Sequence, residues 1–132
     1  MICLDSNFIV DILRKRAQAL QKLNEHKSDL PVTTIINLYE LMSGIWAIKD
    51  KNYEKHLNIL NDFLTNITIL KLDKFSVEKA AKLYGELSQK GKIIDDLDIL
   101  IAAICLSNGC YTLITKDAKH FLRIKGLKVE TY

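Results

Sequence analysis

Four acidic residues occupy places from which they could work together. Asp5 follows the apolar run Met1 to Leu4, and Asp117 stands two residues beyond Thr115, which closes a second apolar run from Tyr111. Asp98 falls in the first turn of a helix that starts near Asp95 or Asp96, and Glu40 lies about two turns into a helix capped by Thr33 or Thr34. Carboxylates that converge repel one another and lose hydration, which raises their pKa values and weakens the fold. A hard divalent cation relieves that conflict. Magnesium and manganese prefer oxygen ligands, and magnesium keeps several of its waters. Such an ion acidifies water and stabilises charge on a phosphodiester under attack.

Soft-ligand chemistry finds no support. His26, His56 and His120 are scattered, and Cys3, Cys105 and Cys110 are an odd count without paired metal spacing. Cys3 and Cys105 sit in apolar runs and read as small buried hydrophobes. Each acid also has a plainer reading. Asp5 could cap the helix beginning at Ser6, Asp117 could cap a short helix after it, and Asp98 could be a favourable charge at a helix N-terminus. Glu40 lies in the apolar stretch Leu38 to Met42 and either faces inward with a partner or points to solvent. One of Asp95 and Asp96 reads as a helix cap and the other as a water-mediated ligand. Asp11, Asp50, Asp62 and Asp73 read as solvated surface charges.

The elements that must hold these acids follow from the periodicity of apolar residues. Short apolar runs at 1–4, 30–33, 67–70, 111–115 and 127–132 predict strands. Helices are predicted over 6–15, on through about Glu25, over 34–48, 52–64 and 74–90, from Asp95 or Asp96 to about Asn108, and over 118–123. The 34–48 helix carries the stripe Ile35, Leu38, Tyr39, Met42, Ile45 and Trp46. The 74–90 helix carries Val77, Ala80, Ala81, Tyr84 and Leu87 and stops near Gly91. Strands that alternate with helices predict an α/β fold whose parallel sheet is covered on both faces. In such sheets the binding crevice lies beyond the carboxyl ends of the strands. All four acids fall at that edge.

The 132 residues fit one domain, 1–132, with no repeat, linker or low-complexity stretch and a single proline, Pro31. No apolar run is long enough to span a membrane. The opening Met1-Ile2-Cys3-Leu4-Asp5 has no basic n-region or cleavage site, so a cytoplasmic protein is expected. The formal net charge of +3 permits a polyanionic partner without demanding one.

At these residues the sequence resembles PIN domains of the VapC toxin type. Ile2-Cys3-Leu4-Asp5-Ser6-Asn7 is similar to the family's Leu-Asp-Thr-Asn opening. Glu40-Leu41-Met42-Ser43-Gly44-Ile45 resembles its Glu-Leu-x-x-Gly-Ile helix, and Asp98 to Ala103 its Asp-x-x-Ile-Ala-Ala segment. Leu113-Ile114-Thr115-Lys116-Asp117, with Phe121 four residues on, resembles its Thr-x-Asp/Asn motif, and Gly126 to Glu130 its last strand. The matches run in the family's order over nearly the whole chain. Two departures stand out: Ser6 replaces the commoner threonine but keeps a hydroxyl, and Ile93 stands where many relatives have proline.

The resemblance implies a PIN-like three-layer α/β/α sandwich with a short parallel sheet of four to five strands. It implies a magnesium-dependent endoribonuclease, with manganese as a substitute, and the toxin half of a type II toxin–antitoxin pair. Asp5, Glu40, Asp98 and Asp117 would be the catalytic and metal-binding acids; Thr115 or Ser6 would orient a carboxylate or water, and Asn7 would brace the loop. RNA, a cognate antitoxin and a second copy of the chain are the implied partners. The 34–48 and 52–64 helices, with Tyr39, Met42, Trp46, Tyr53, Leu57, Leu60 and Phe63, either form the dimer surface or fill the monomer's own core. Lys116, Lys119, Arg123, Lys125 and Lys128, with Arg14, Lys15 and Arg16, offer phosphate contacts or are ordinary solvated charges.

Two other phosphotransfer designs are excluded. Phosphatases of the haloacid dehalogenase type need a second aspartate two positions after Asp5, where this chain has Asn7. Response-regulator receivers need an acidic pair after the first strand. A PIN nuclease of RNA processing without an antitoxin, and a non-catalytic PIN-like binding module, remain as alternatives; the latter would be marked by loss of an acid, yet all four are present.

Overall fold

A computed structural model describes residues 1–132. Five parallel strands form one sheet in the order β3-β2-β1-β4-β5. They are β1 (Ile2–Leu4), β2 (Pro31–Thr34), β3 (Thr68–Leu70), β4 (Thr112–Ile114) and β5 (Lys128–Glu130). Between them run α1 (Ser6–Leu13), α2 (Ala17–Glu25), α3 (Ile35–Trp46), α4 (Tyr53–Leu64), α5 (Lys74–Gln89), α6 (Asp96–Ser107) and α7 (Ala118–Phe121). The expected α/β class and strand order of appearance hold. The second strand sits one residue later than expected, and the last is shorter, closing at Glu130.

The central strands are apolar on both sides because both faces of the sheet are covered. Side chains alternate across β1: Ile2 and Leu4 join a core with Phe8, Ile9, Ile12, Leu41, Leu60 and Ile114, whereas Cys3 joins Val32, Leu83, Leu87, Ile101 and Leu113 on the other side. Those two clusters make the three layers. Each fully buried Phe, Leu or Ile contributes on the order of 1.5–3 kcal/mol. The α6 helix is apolar nearly all round, with Ile99 and Ile101 through Cys105 buried, which makes it the central helix of its layer. All three cysteines are buried.

Helix ends obey local chemistry. Thr34 caps α3 and Asp73 caps α5, each in a reciprocal box with the residue three positions on, Asn37 and Ser76. Gly91 and Gly109 follow α5 and α6 with φ of +64° and +72°, a conformation in which a side chain would be strained.

One expected face is corrected, and one open choice is narrowed. On α5 the buried positions are Ser76, Ala80, Leu83 and Leu87; Val77, Ala81 and Tyr84 are exposed. Packing against α6 selects that face, one step around from the stripe that apolar spacing suggests. On α3, Tyr39 and Trp46 are 61% and 60% exposed, so they do not fill the monomer's core. Met42, Ile45 and Phe63 are partly buried, and Leu60 is fully so. No helix is long and apolar enough to cross a membrane.

Candidate active site

The chain leaves β1 for β2 on one side and later returns to lay β4 on the other side of β1. This reversal creates a crevice at the carboxyl ends of β1 and β4, the place where open parallel sheets bind ligands. Register sets what meets there. Leu4 pairs with Ile114, so Asp5 and Thr115 leave the sheet side by side, with the Asp5 amide donating to the Ile114 carbonyl at 3.1 Å. The crevice, about 200 Å³, is lined by Asp5, Ser6, Asn7, Glu40, Asp98, Asp117 and Phe121.

Asp5 is buried and carries no cationic partner. Its Oδ1 accepts from the Ser6 amide at 2.9 Å and from Asn37 Nδ2 at 2.8 Å. Its Oδ2 accepts from the Thr115 hydroxyl at 2.6 Å. It therefore caps α1 and lines the crevice at once. Burial pushes its carboxyl above the ordinary value; Thr115, Ser6 and Asn37 pull the other way, and the Asp98 charge adds to the rise.

Glu40 sits beside it, with Oε1 accepting from Ser6 Oγ at 2.7 Å. Burial raises its pKa too, and the charges of Asp5, Asp98 and Asp95 reinforce the rise against the Ser6 bond. Asp98, on α6, is raised by burial and held partly down by His120, whose Nδ1 lies 2.7 Å from Oδ2. Asp117 is exposed and makes no side-chain capping bond, so it stands free at the rim; its amide donates to Thr115 Oγ1 at 3.1 Å. Asn7 spans from α1 to the β4–α7 loop: Oδ1 accepts from the Lys116 amide at 3.0 Å, and Nδ2 donates to Thr115 Oγ1 at 3.3 Å.

The four predicted acids thus line one crevice, and the two hydroxyls take separate carboxylates, Thr115 on Asp5 and Ser6 on Glu40. Asp95 is the α6 cap, accepting from the Leu97 amide at 2.9 Å, and Asp96 is exposed; neither lines the crevice. Three features escaped the sequence. Asn37 is fully buried and touches Asp5, Ser6 and Glu40. Its signal was the spacing Thr34-x-x-Asn37 of a capping box. His120, read as one of three scattered histidines, is the only basic side chain on the acids. Asp11 is not a solvated charge: it is covered by Tyr132, whose hydroxyl donates at 2.8 Å, by Lys116 at 3.3 Å and by Arg16 at 3.5 Å. The Tyr132 bond, then the two cations, hold its pKa below the usual value despite that cover.

Of the basic residues, Lys116 and Arg16 are engaged with Asp11 and Lys128 with Glu130 at 2.8 Å. Lys119 and Lys125 are exposed and make no ion pair.

The donors suit a hard cation. The crevice's polar lining is four carboxylates, one hydroxyl and the Asn7 amide, with no thiol or imidazole; the two deepest acids lack a positive partner, and three carboxyls are pushed toward protonation. No three of the acids stand close enough to form a ready-made ligand set; protein hydrogen bonds hold Asp5, Glu40 and Asp98, and Asp117 stands free. Magnesium needs only one or two carboxylates and fills its other positions with water. The residues fit such an ion.

A three-layer α/β domain with an acidic crevice at the switch point of its parallel sheet describes a class of phosphodiester-cleaving proteins as well as of binders. The chain belongs to the PIN domain family, whose model matches residues 2–127. It is 31% identical to Ribonuclease VapC1 of Methanocaldococcus jannaschii over 97% of this chain and 85% of that one. It is 29% identical to Ribonuclease VapC2 of Haemophilus influenzae, covering 98% of this chain and 96% of the relative. The crystal structure of VapBC2 from Rickettsia felis bound to a DNA fragment from their promoter superposes with a TM-score of 0.88, at 28% identity, covering 100% of this chain and 99% of that one.

Proposed function

We propose that the chain is an endoribonuclease that works with magnesium or manganese in the cytoplasm and is the toxin of a type II toxin–antitoxin pair. The observation that carries the reading is the crevice itself: Asp5, Glu40, Asp98 and Asp117 around about 200 Å³ in a chain whose full-length relatives bear ribonuclease names. When bound, the divalent ion supplies acidified water and offsets charge on the scissile phosphate. Asp5, Glu40 and Asp98 would hold it, with Asp117 at the rim. Thr115 and Ser6 keep the inner carboxylates turned toward the crevice, so little reorganisation is needed when substrate arrives. Exposed Lys119 and Lys125, on the α7 side, take backbone phosphates and make affinity salt-dependent.

An apolar groove of about 520 Å³ between α1, α3 and α4 ends at Ser6, Asn7 and Glu40. Its floor of Val10, Leu13, Leu41 and Ile45 fits the apolar face of an antitoxin segment, and a basic side chain from that segment would meet the carboxylates. Two copies of the chain pair through α3 and α4, where exposed Trp46 stacks on Tyr53 at 4.7 Å.

Brief expression of the chain, followed by sequencing of RNA 5′ ends, tests the function. New ends that accumulate with the original chain, vanish with Asp5→Asn and vanish on co-expression of the neighbouring gene are expected. Harmless expression of soluble, magnesium-supplied protein would refute it.

A further inference from the structure

A polar group behind the crevice wall holds the acids and is not itself an acid. Asn37 is fully buried in the first turn of α3, and its amide orientation is forced. Oδ1 accepts from the Thr34 amide at 3.2 Å and from the Thr34 hydroxyl at 2.7 Å. Nδ2 must then face the acids. It donates to Asp5 Oδ1 at 2.8 Å and to Ser6 Oγ at 3.0 Å, and lies 3.5 Å from Glu40 Oε1. Ser6 Oγ in turn donates a hydrogen bond to Glu40 Oε1 at 2.7 Å. One neutral NH₂ group therefore reaches both inner carboxylates, one directly and one mainly through Ser6. A lysine or arginine there would neutralise the acids and compete with a cation; an amide holds them and leaves their charge in place.

We infer that Asn37 is a positioning residue that sets Asp5 and Glu40, through the Nδ2 bridge and Ser6, in the orientation in which they take a divalent cation. This inference rests on the metal-dependent nuclease reading. The helix cap alone does not require an asparagine. At the same position of α5, Ser76 closes the capping box with a hydroxyl that accepts from the Asp73 amide at 2.8 Å. A serine at 37 would preserve the cap and would be too short to bridge the acids. Removing a group that orients metal ligands typically weakens metal affinity or activity by ~10–100-fold.

The test uses the full chain and Asn37→Ser, with two readouts. Thermal melting against magnesium concentration gives the midpoint of metal stabilisation, and steady-state cleavage of a short RNA gives kcat and KM. The variant is expected to fold but to melt ~5–10 °C lower in EDTA, since it loses a buried bond to Asp5, to need ~10-fold more magnesium for half its stabilisation, and to lose ~10-fold or more in kcat with KM for RNA little changed. An unchanged magnesium midpoint and kcat would overturn the role. Should Asn37→Ser fail to fold, the original chain still decides: the Asn37 side-chain NH₂ signals are expected to be protected from exchange and to shift on magnesium addition. Rapidly exchanging signals indifferent to magnesium would overturn the inference. An original chain that shows neither cleavage nor magnesium stabilisation would fail the nuclease reading itself, and the inference with it.

Discussion

Replacing Thr115 with valine removes one hydroxyl and nearly nothing else. That hydroxyl donates to Asp5 Oδ2 at 2.6 Å and accepts from Asn7 Nδ2 at 3.3 Å and the Asp117 amide at 3.1 Å. Thr115 is fully buried, so water cannot take over without a rearrangement. A hydrogen bond to a charged group is worth ~1.5–3 kcal/mol, and the two weaker donors lose ~0.5 kcal/mol each. The expected loss is ~3 kcal/mol when Asp5 is ionised, or ~10 °C in Tm for a domain of this size. The pH dependence gives the sharper test. Asp5 has a folded pKa above its unfolded value, so its ionised form destabilises the fold increasingly as pH rises through the folded pKa. The Thr115 bond opposes that rise; without it the folded pKa climbs further. The deficit of Thr115→Val should therefore be widest at pH 8. It should shrink to about two-thirds near pH 4, because the bond to Asp5 is roughly half as strong once the carboxyl is neutral, whereas the two neutral donors are lost at either pH. Circular dichroism melts in EDTA at both pH values measure this, with Thr115→Ser, which restores the hydroxyl, as control. An equal Tm loss at both pH values, or one under ~2 °C at pH 8, would refute the role given to this hydroxyl.

Other perturbations give equally direct outcomes. Glu40→Gln keeps an acceptor for Ser6 but removes a charge whose pKa is raised, so it should raise Tm in EDTA at pH 8, leave it unchanged near pH 4, and blunt the stabilisation by magnesium in paired melts. Asp98→Asn should also weaken the magnesium response, with a smaller gain in EDTA because the charge that strengthens the 2.7 Å contact with His120 is lost; an equal magnesium response in variant and original would remove Asp98 from the ligand set. Glu130, held down to about 2 by Lys128, Lys22 and His26, stabilises the fold above its unfolded pKa and loses that effect as pH falls toward 2. Glu130→Gln should accordingly lower Tm at pH 7 and converge on the original in strong acid. Light scattering at micromolar concentration should show a dimer that Trp46→Glu converts to monomer; a monomeric original would dismiss the α3–α4 interface.

Much of the fold was legible because the sheet is buried on both faces. Strands such as Ile2–Leu4 and Thr112–Ile114 are short apolar runs that end in polar residues at the crevice, so their ends mark it. The acids were legible for the same reason. What stayed hidden depends on contacts distant in sequence. Asp11 resembles any helical surface aspartate until Tyr132, 121 residues away, covers it. The buried face of α5 is not legible locally because Leu83 and Tyr84 are neighbours, and only packing against α6 chooses between them. Asn37 sits between Ile36 and Leu38 in an otherwise apolar turn, and nothing local says that its amide faces Asp5. His120 gains meaning only where α7 passes the first turn of α6.

The most direct test of the acidic crevice as a metal-dependent ribonuclease site is cleavage of a labelled RNA by the purified chain, with magnesium or with excess EDTA, beside a folded Asp5→Asn variant. Cleavage that requires the divalent ion and is lost in the variant is the expected result. Full cleavage in EDTA, or by Asp5→Asn prepared free of other nucleases, would contradict it.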